Sequence, residues 1–238
     1  RKGCFEAYSS ATALITATKK AMEEDKDSAM WKIAGSIDKV DGKTAFDAMR
    51  AGDKSGKAVV DEYLNYLGCG LTNVVNSLLT LSRIEASEHI YPIIPLKLIE
   101  TIEDCMDNVN GLALQRNINL TVDPFNNNLQ VYGNEELLYK VLENLLTNAI
   151  RYSVSSVSIS VSQDTENIFV YVKDDGCGIS PDDLPHIFER CYKGKGGNFG
   201  IGLAIAQSAA EKMDGSIMAA NCSTCGAVFT LKLRKVNQ

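Results

Sequence analysis

Lys140, Asn144 and Asn148 recur at four-residue intervals, with Arg151 and Tyr152 close behind. On a helix, residues four apart stack on one face. The spacing therefore lines two amides, two cations and a phenol ring along one stripe. An asparagine carbonyl is a neutral oxygen ligand of the kind Mg²⁺ takes beside phosphate oxygens and water. A guanidinium or ammonium at the end of the stripe suits phosphate. A solvated polar face, which most amphipathic helices have, is the competing reading.

Two glycine-bearing segments follow. Asp174-Asp175-Gly176-Cys177-Gly178-Ile179 comes at the end of an alternating run. Its glycines permit a tight turn and close backbone approach to a ligand, and an aspartate there can accept a hydrogen bond from an amino group. An ordinary Asp-Gly turn is the alternative. Gly194-Lys195-Gly196-Gly197-Asn198-Phe199-Gly200-Ile201-Gly202-Leu203 then opens a helix. Backbone N–H groups and the positive dipole end of a helix favour phosphate, and Lys193 and Lys195 add charge. A flexible loop is the alternative. There is no GK[ST] of a Walker loop and no preceding strand of a dinucleotide fingerprint.

Cys222 and Cys225 form one CxxC among seven cysteines. No second pair at matching spacing completes a zinc site, so a turn between strands is the favoured reading over a metal or redox role. The odd, scattered count fits reduced thiols in cytoplasm. The net charge of −6 argues against a nucleic-acid-binding surface. A hydrophobic fraction of 45% and a charged fraction of 23% are those of a globular protein. No apolar run approaches the ~20 residues of a membrane span. The chain begins at Arg1, so the expectation is a fragment whose missing N-terminal region could carry a membrane anchor.

The elements that would position these residues fall into two parts, 1–91 and 92–238. In the first, Val60, Leu64, Leu67, Leu71, Val74, Leu78 and Leu81 alternate four and three apart, a bundle seam. Gly68 and Gly70 interrupt it and could admit close helix approach. Met30, Ile33, Ile37 and Val40 show a shorter stripe, and residues 50–56 have the chemistry of a turn between antiparallel helices. A helical hairpin that pairs into a dimeric four-helix bundle is expected, preceded by a helical lead-in over 5–27. After Pro92 and Pro95 the pattern predicts helix over 96–115, strands at 118–122 and 129–132, and helix over 134–151. Strands at 156–162 and 167–173, helix over 200–213 and strands at 215–220 and 227–233 complete an α+β sandwich.

In this order and spacing the three segments resemble the catalytic domain of sensor histidine kinases. The wider superfamily takes in gyrase-, Hsp90- and MutL-type ATPases. The resemblance spans residues 92–238 and implies a Bergerat-type ATP-binding sandwich, with ATP and Mg²⁺ as cofactors. Residues Glu143 to Ser153 are similar to the N-box. That implies Asn148 as the Mg²⁺ ligand, Asn144 beside it, Arg151 on phosphate and Tyr152 near adenine. Asp174 to Gly178 resembles the G1 box, with Asp174 on the adenine amino group and Gly176, Gly178 and Ile179 along the same wall. Leu184 to Tyr192, including Phe188, resembles the F-box. A short lid with Lys193 and Lys195 leads to a G2 box at Gly200, Gly202 and Leu203.

The hydrolytic relatives place a glutamate four residues before the magnesium asparagine. Here that position is Asn144, and Glu143 is turned about 100° round the helix. Phosphoryl transfer to a protein side chain is therefore expected over hydrolysis. Leu78 to Ala86 resembles the end of the second dimerisation helix, yet the first helix has no acceptor histidine. The only histidines are His89 and His186. Spacing puts the acceptor position at Trp31, or at Ile37 with a shorter loop. Three accounts remain. The chain regulates through nucleotide binding alone, it phosphorylates another chain, or a hydroxyl such as Ser28 or Ser36 is the target. The implied partners are ATP, a second copy through the hairpin and a response regulator receiver domain.

Overall fold

The computed structural model describes residues 10–86, 91–192, 200–223 and 225–236. Two compact units divide between Asn76 and Ser77, within one long helix.

The N-terminal unit is helical. Helix α1 (Ala11–Glu24) starts at Ser10, whose side chain accepts from the Ala13 N–H, and ends at Asp25. Helix α2 (Ala29–Ala34), a 3₁₀ turn (Ile37–Lys39) and α3 (Thr44–Arg50) precede α4 (Lys54–Glu85). The Met30–Val40 stripe is therefore not continuous. Gly35 takes a left-handed φ of 75° and ends α2 after Ala34. Asp53 holds the turn before α4. Its carboxylate accepts from the Ala29 N–H at 2.7 Å, the Ser28 hydroxyl at 3.1 Å and the Gly56 N–H at 2.6 Å, so it serves the start of two helices at once.

Leu14, Met22, Met30, Val40, Ala45, Ala48, Val59 and Val60 form the core of this unit. Trp31 packs against that core, and its indole N–H donates to the Met22 and Asp25 carbonyls at 2.8 and 3.2 Å. The tryptophan thus satisfies carbonyls at the C-terminal end of α1 that the helix cannot pair. Further along α4 the four-three seam faces outward on this chain: Leu64, Leu67, Leu71 and Leu78 are all exposed. A Cβ added at Gly68 would meet nothing within 4 Å, so within the chain it serves no close approach.

In the C-terminal unit, β1 (Ile94–Lys97) pairs antiparallel with β3 (Gln130–Gly133). Helix α5 (Leu98–Arg116) runs to the left-handed Asn117, and β2 (Asn119–Val122) follows. Helix α6 (Glu135–Tyr152) starts at Asn134, whose side chain accepts from the Leu137 N–H. Glu135 and Glu136 in its first turn and Arg151 in its last complement the helix dipole. Its apolar face, from Leu137 and Leu138 to Ala149 and Ile150, is buried.

Strands β4 (Ser156–Gln163), β5 (Asn167–Asp174), β6 (Ser216–Asn221) and β7 (Ala227–Arg234) join β2 in a five-stranded sheet of order β2-β4-β5-β7-β6. The β2–β4 pair is parallel and the others antiparallel. Helix α7 (Gly202–Lys212) packs beside α6. Strand β5 fixes the site by its period of two. Ile168, Val170 and Val172 are fully buried, and the alternation carries Asp174 onto the same inward face. Among the described residues no helix is long and apolar enough to cross a membrane.

Candidate functional site

Asp174 is 4% exposed at the end of β5. Its Oδ1 accepts from the Gly176 N–H at 2.9 Å and the Ala227 N–H at 3.3 Å. Burial pushes its carboxyl pKa up, against the pull of those two amides. Asp175, next in sequence, turns the other way. It accepts from the Val154, Ser155 and Ser156 N–H groups and from both serine hydroxyls. Burial raises its pKa, but these bonds outweigh burial and hold the group well below the usual carboxylate range. One carboxylate therefore clamps the α6–β4 connection, and its neighbour is presented inward.

The two pKa directions have opposite consequences. Asp175, depressed in the fold, contributes stability that is present above the unfolded value of about 4 and lost as pH falls below it. Asp174, raised in the fold, costs stability where it is ionised, and the cost is relieved on acidification. Asp175→Asn should therefore destabilise the protein at pH 7. The gap from the parent should shrink as pH falls to about 3. Denaturant titration at the two pH values measures this; a gap independent of pH would contradict it.

Glycines bring the separate segments together. A Cβ at Gly176 would overlap the Tyr152 carbonyl and lie 2.9 Å from Asp174 Oδ1. A Cβ at Gly202 would lie 2.7 Å from Asn144 Oδ1. The turn after β5 thus abuts the C-terminal end of α6, and the start of α7 abuts the stripe one turn before Asn148. Asn148 lies between these two contacts, half-buried, with no side-chain hydrogen bond among the described residues. Arg151 is half-buried and Tyr152 exposed at the stripe's end. Asn144 Nδ2 donates to the Lys140 carbonyl at 2.8 Å, which turns its Oδ1 toward Gly202.

Glu143 is held elsewhere. Lys140 Nζ lies 2.9 Å from its Oε2, and Asn108 Nδ2 on α5 donates to its Oε1 at 3.3 Å. It faces α5, as the helical angle predicts.

The remaining residues close the site's edges. Gly178 has φ 75°, and a Cβ there would lie 2.8 Å from Asn221 Oδ1. Asn221 grips Ile179 reciprocally, accepting its N–H and donating to its carbonyl, both at 2.7 Å. Phe188 is half-buried with its ring edge-on to Phe229 of β7, centroids 6.5 Å apart. The Tyr192 hydroxyl donates to Asp183 at 2.7 Å, and His186 Nδ1 lies 2.7 Å from Glu189 Oε1. Arg190 pairs with Glu85, which also accepts from the Ser208 hydroxyl on α7. The Cys191 N–H donates to the Gly200 carbonyl at 3.0 Å. Gly200, at φ 67°, has no room for a Cβ against the Tyr192 carbonyl. Leu203 is half-buried in the first turn of α7. Lys193, Lys195, the glycines between 193 and 199, and His89 lie outside the described residues. Trp31 belongs to the N-terminal unit, where its indole N–H is engaged.

Sequence reasoning did not single out Asn221, Gly226 or Ala227. All three lie on or beside the β6–β7 turn and bear directly on Ile179 or Asp174. They sit 42 to 53 residues from the groups they support. No short motif links them; the pairing of β5 with β7 does.

Residues 133–237 match the family model described as histidine kinase-, DNA gyrase B- and HSP90-like ATPase. The sensor histidine kinase RppB of Synechocystis is 33% identical over 174 residues, 70% of this chain and 38% of RppB. The sensor histidine kinase CpxA of Escherichia coli is 30% identical over 172 residues, 70% of this chain and 37% of CpxA. The chain thus spans less than half the length of these relatives. Among solved structures, Acinetobacter baumannii histidine kinase AdeS has a TM-score of 0.61 at 23% identity, covering 82% of this chain and 93% of that one. Full-length ShkA, solved with AMPPNP, has a TM-score of 0.64 at 18% identity, covering 96% of this chain and 44% of that one. These two likenesses are of fold.

Proposed function

We propose that this chain, whose residues 133–237 match the family model described as histidine kinase-, DNA gyrase B- and HSP90-like ATPase, binds Mg–ATP and transfers the γ-phosphoryl group to a protein side chain in two-component signalling. The supporting observation is the meeting of Gly176 and Gly202 with one polar stripe of α6, on either side of Asn148. A side chain at Gly176 would meet the Tyr152 carbonyl and one at Gly202 the Asn144 side chain, so both glycines let their segments pack directly against α6.

In this reading Asp174 accepts a hydrogen bond from the adenine amino group, and Gly176, Gly178 and Ile179 form the wall beside the base. Tyr152 and Phe188 supply aromatic surface. Asn148 offers its carbonyl oxygen to Mg²⁺, with Asn144 beside it. Arg151 and the N–H groups from Gly200 to Leu203 face phosphate, joined by Lys193 and Lys195. Bound nucleotide supplies the phosphoryl group. The protein's part is to position it and neutralise charge. Glu143, engaged by Lys140 and Asn108, is not placed to activate water, so transfer is favoured over hydrolysis.

Residues 1–91 act in this reading as the helical partner of the 92–238 catalytic part. They pair with a second copy through the exposed leucines of α4. A response regulator receiver domain takes the phosphoryl group onward. The parent protein is a sensor whose cytoplasmic portion includes this chain. A second reading rests on Trp31. The side chain at the expected acceptor position is packed and hydrogen-bonded, and no histidine occurs between residues 1 and 88. The chain would then bind ATP as a signalling scaffold that transfers no phosphoryl group.

Incubation with γ-labelled ATP, alone and with receiver domains and histidine-bearing partners, separates the readings. Label on any protein supports the kinase. ATP binding with no label on any chain supports the scaffold, and absence of binding removes both.

A further inference from the structure

Glu85 ends α4 and belongs to the C-terminal unit, which begins at Ser77. Leu81 and Ile84, in the same stretch, are buried. The Ala86 N–H closes the last turn on the Ser82 carbonyl at 2.9 Å. A carboxylate at this end of a helix faces the negative pole of the helix dipole, where a cation is favoured. Glu85 is therefore held by what it touches and not by its own helix.

Both partners come from distant sequence. One oxygen of Glu85, Oε1, accepts from the Arg190 guanidinium and from the Ser208 hydroxyl, the latter at 3.3 Å. These residues lie 105 and 123 positions away. Arg190 adjoins Cys191, a non-glycine residue at φ 60°. Such a backbone persists only where its surroundings hold it. Here the Cys191 N–H donates to the Gly200 carbonyl at 3.0 Å, the Tyr192 hydroxyl donates to Asp183 at 2.7 Å, and Arg190 is tied to Glu85. Gly200 stands just before Gly202, which abuts Asn144 on the polar stripe. Ser208 lies on α7, the helix that Gly202 begins. Two routes from one carboxylate thus lead to the same point of the site.

We propose that Glu85 is a positioning residue that couples the last turn of α4 to the nucleotide site, holding Arg190 and Ser208 so that the start of α7 stays in register with Asn144. The coupling is reciprocal. Loosening Glu85 weakens ATP binding, and bound ATP steadies the last turn of α4. Glu85 is 31% exposed and Arg190 64%, so solvent screens the pair and the effect is modest. The ATP effect rests on the nucleotide reading above; the coupling of Glu85 to Cys191 does not.

The test follows amide exchange and calorimetric ATP titration on the full chain. Without nucleotide, Glu85→Gln should quicken exchange at Cys191, and Arg190→Gln should quicken it at Glu85 and Ala86, each about threefold. The exchanged pair, Glu85→Arg with Arg190→Glu, should return Cys191 to the parent rate, a rescue that a loss of packing would not give. Each single variant should bind ATP about threefold more weakly, and the exchanged pair should recover most of that loss. ATP should slow exchange at Ala86 in the parent and not in Glu85→Gln. Unchanged exchange at Cys191 in Glu85→Gln would overturn the proposal. So would a failure of rescue in the exchanged pair, or parent-like ATP affinity in both single variants. If the parent itself binds no ATP, the nucleotide reading fails, while the exchange results still decide the coupling of Glu85 to Cys191.

Discussion

Asp174→Asn is expected to weaken ATP binding about a hundredfold while leaving the fold intact. The substitution keeps an oxygen that can accept the Gly176 and Ala227 N–H groups. It replaces the other oxygen with an NH₂ donor, which would then face the adenine amino donor. A charge-assisted acceptor is lost and two donors oppose each other in a buried site, a cost of about 2–3 kcal/mol. Stability should not fall, because burial as an anion already disfavours Asp174, as its raised pKa indicates. Thermal melts and calorimetric titration together make the test. Parent-like affinity would remove Asp174 from the site, and a large drop in melting temperature would assign it a structural role instead.

Gly226→Ala should produce the largest loss of stability. A left-handed φ of 80° costs an alanine about 1–2 kcal/mol. The added Cβ would also overlap the Asp174 carbonyl and lie 3.0 Å from its Oδ1. Backbone atoms at the junction of β5 and β7 cannot give way as a flexible side chain could. We expect a total of about 3 kcal/mol or more, lowering the melting temperature by roughly 6–12 °C in a unit of this size. Gly52→Ala serves as the control. Gly52 has φ 85° with nothing within 4 Å of the added atom, so only the conformational cost of about 1–2 kcal/mol applies. Equal losses for the two variants would mean that the contact with Asp174 does not matter.

The sandwich was legible wherever one face of an element is buried. Leu137 to Ile150 keep a helical period and the residues of β5 alternate, so each element and its inward side follow from spacing. The choice of Asp174 over Asp175 comes from the resemblance to the G1 box; in the fold the alternation of β5 carries Asp174 inward, and Asp175 turns to the α6–β4 connection. Strand β1 was missed because Pro92 and Pro95 read as a break; in the fold Pro95 sits within a two-stranded edge ladder, where proline is tolerated. The stripe from Met30 to Val40 suggests one helix because Ile33 and Ile37 keep the spacing; the left-handed Gly35 that interrupts it has no periodic signature. The supports of the site, Asn221, Gly226 and Ala227, depend on strand pairing across more than 40 residues. Local patterns do not encode such a pairing.

The most direct test is an amide NMR titration of the full chain with a non-hydrolysable ATP analogue and Mg²⁺. Saturable shifts concentrated at Gly176, Ile179, Gly202, Leu203 and the Asn148 side-chain amide are predicted. A polar cavity of about 540 Å³ between Asn126, Gln130, Gln163 and Lys235 provides the internal comparison. Shifts gathered there, with Gly176, Asn148 and Gly202 unmoved, would contradict the account.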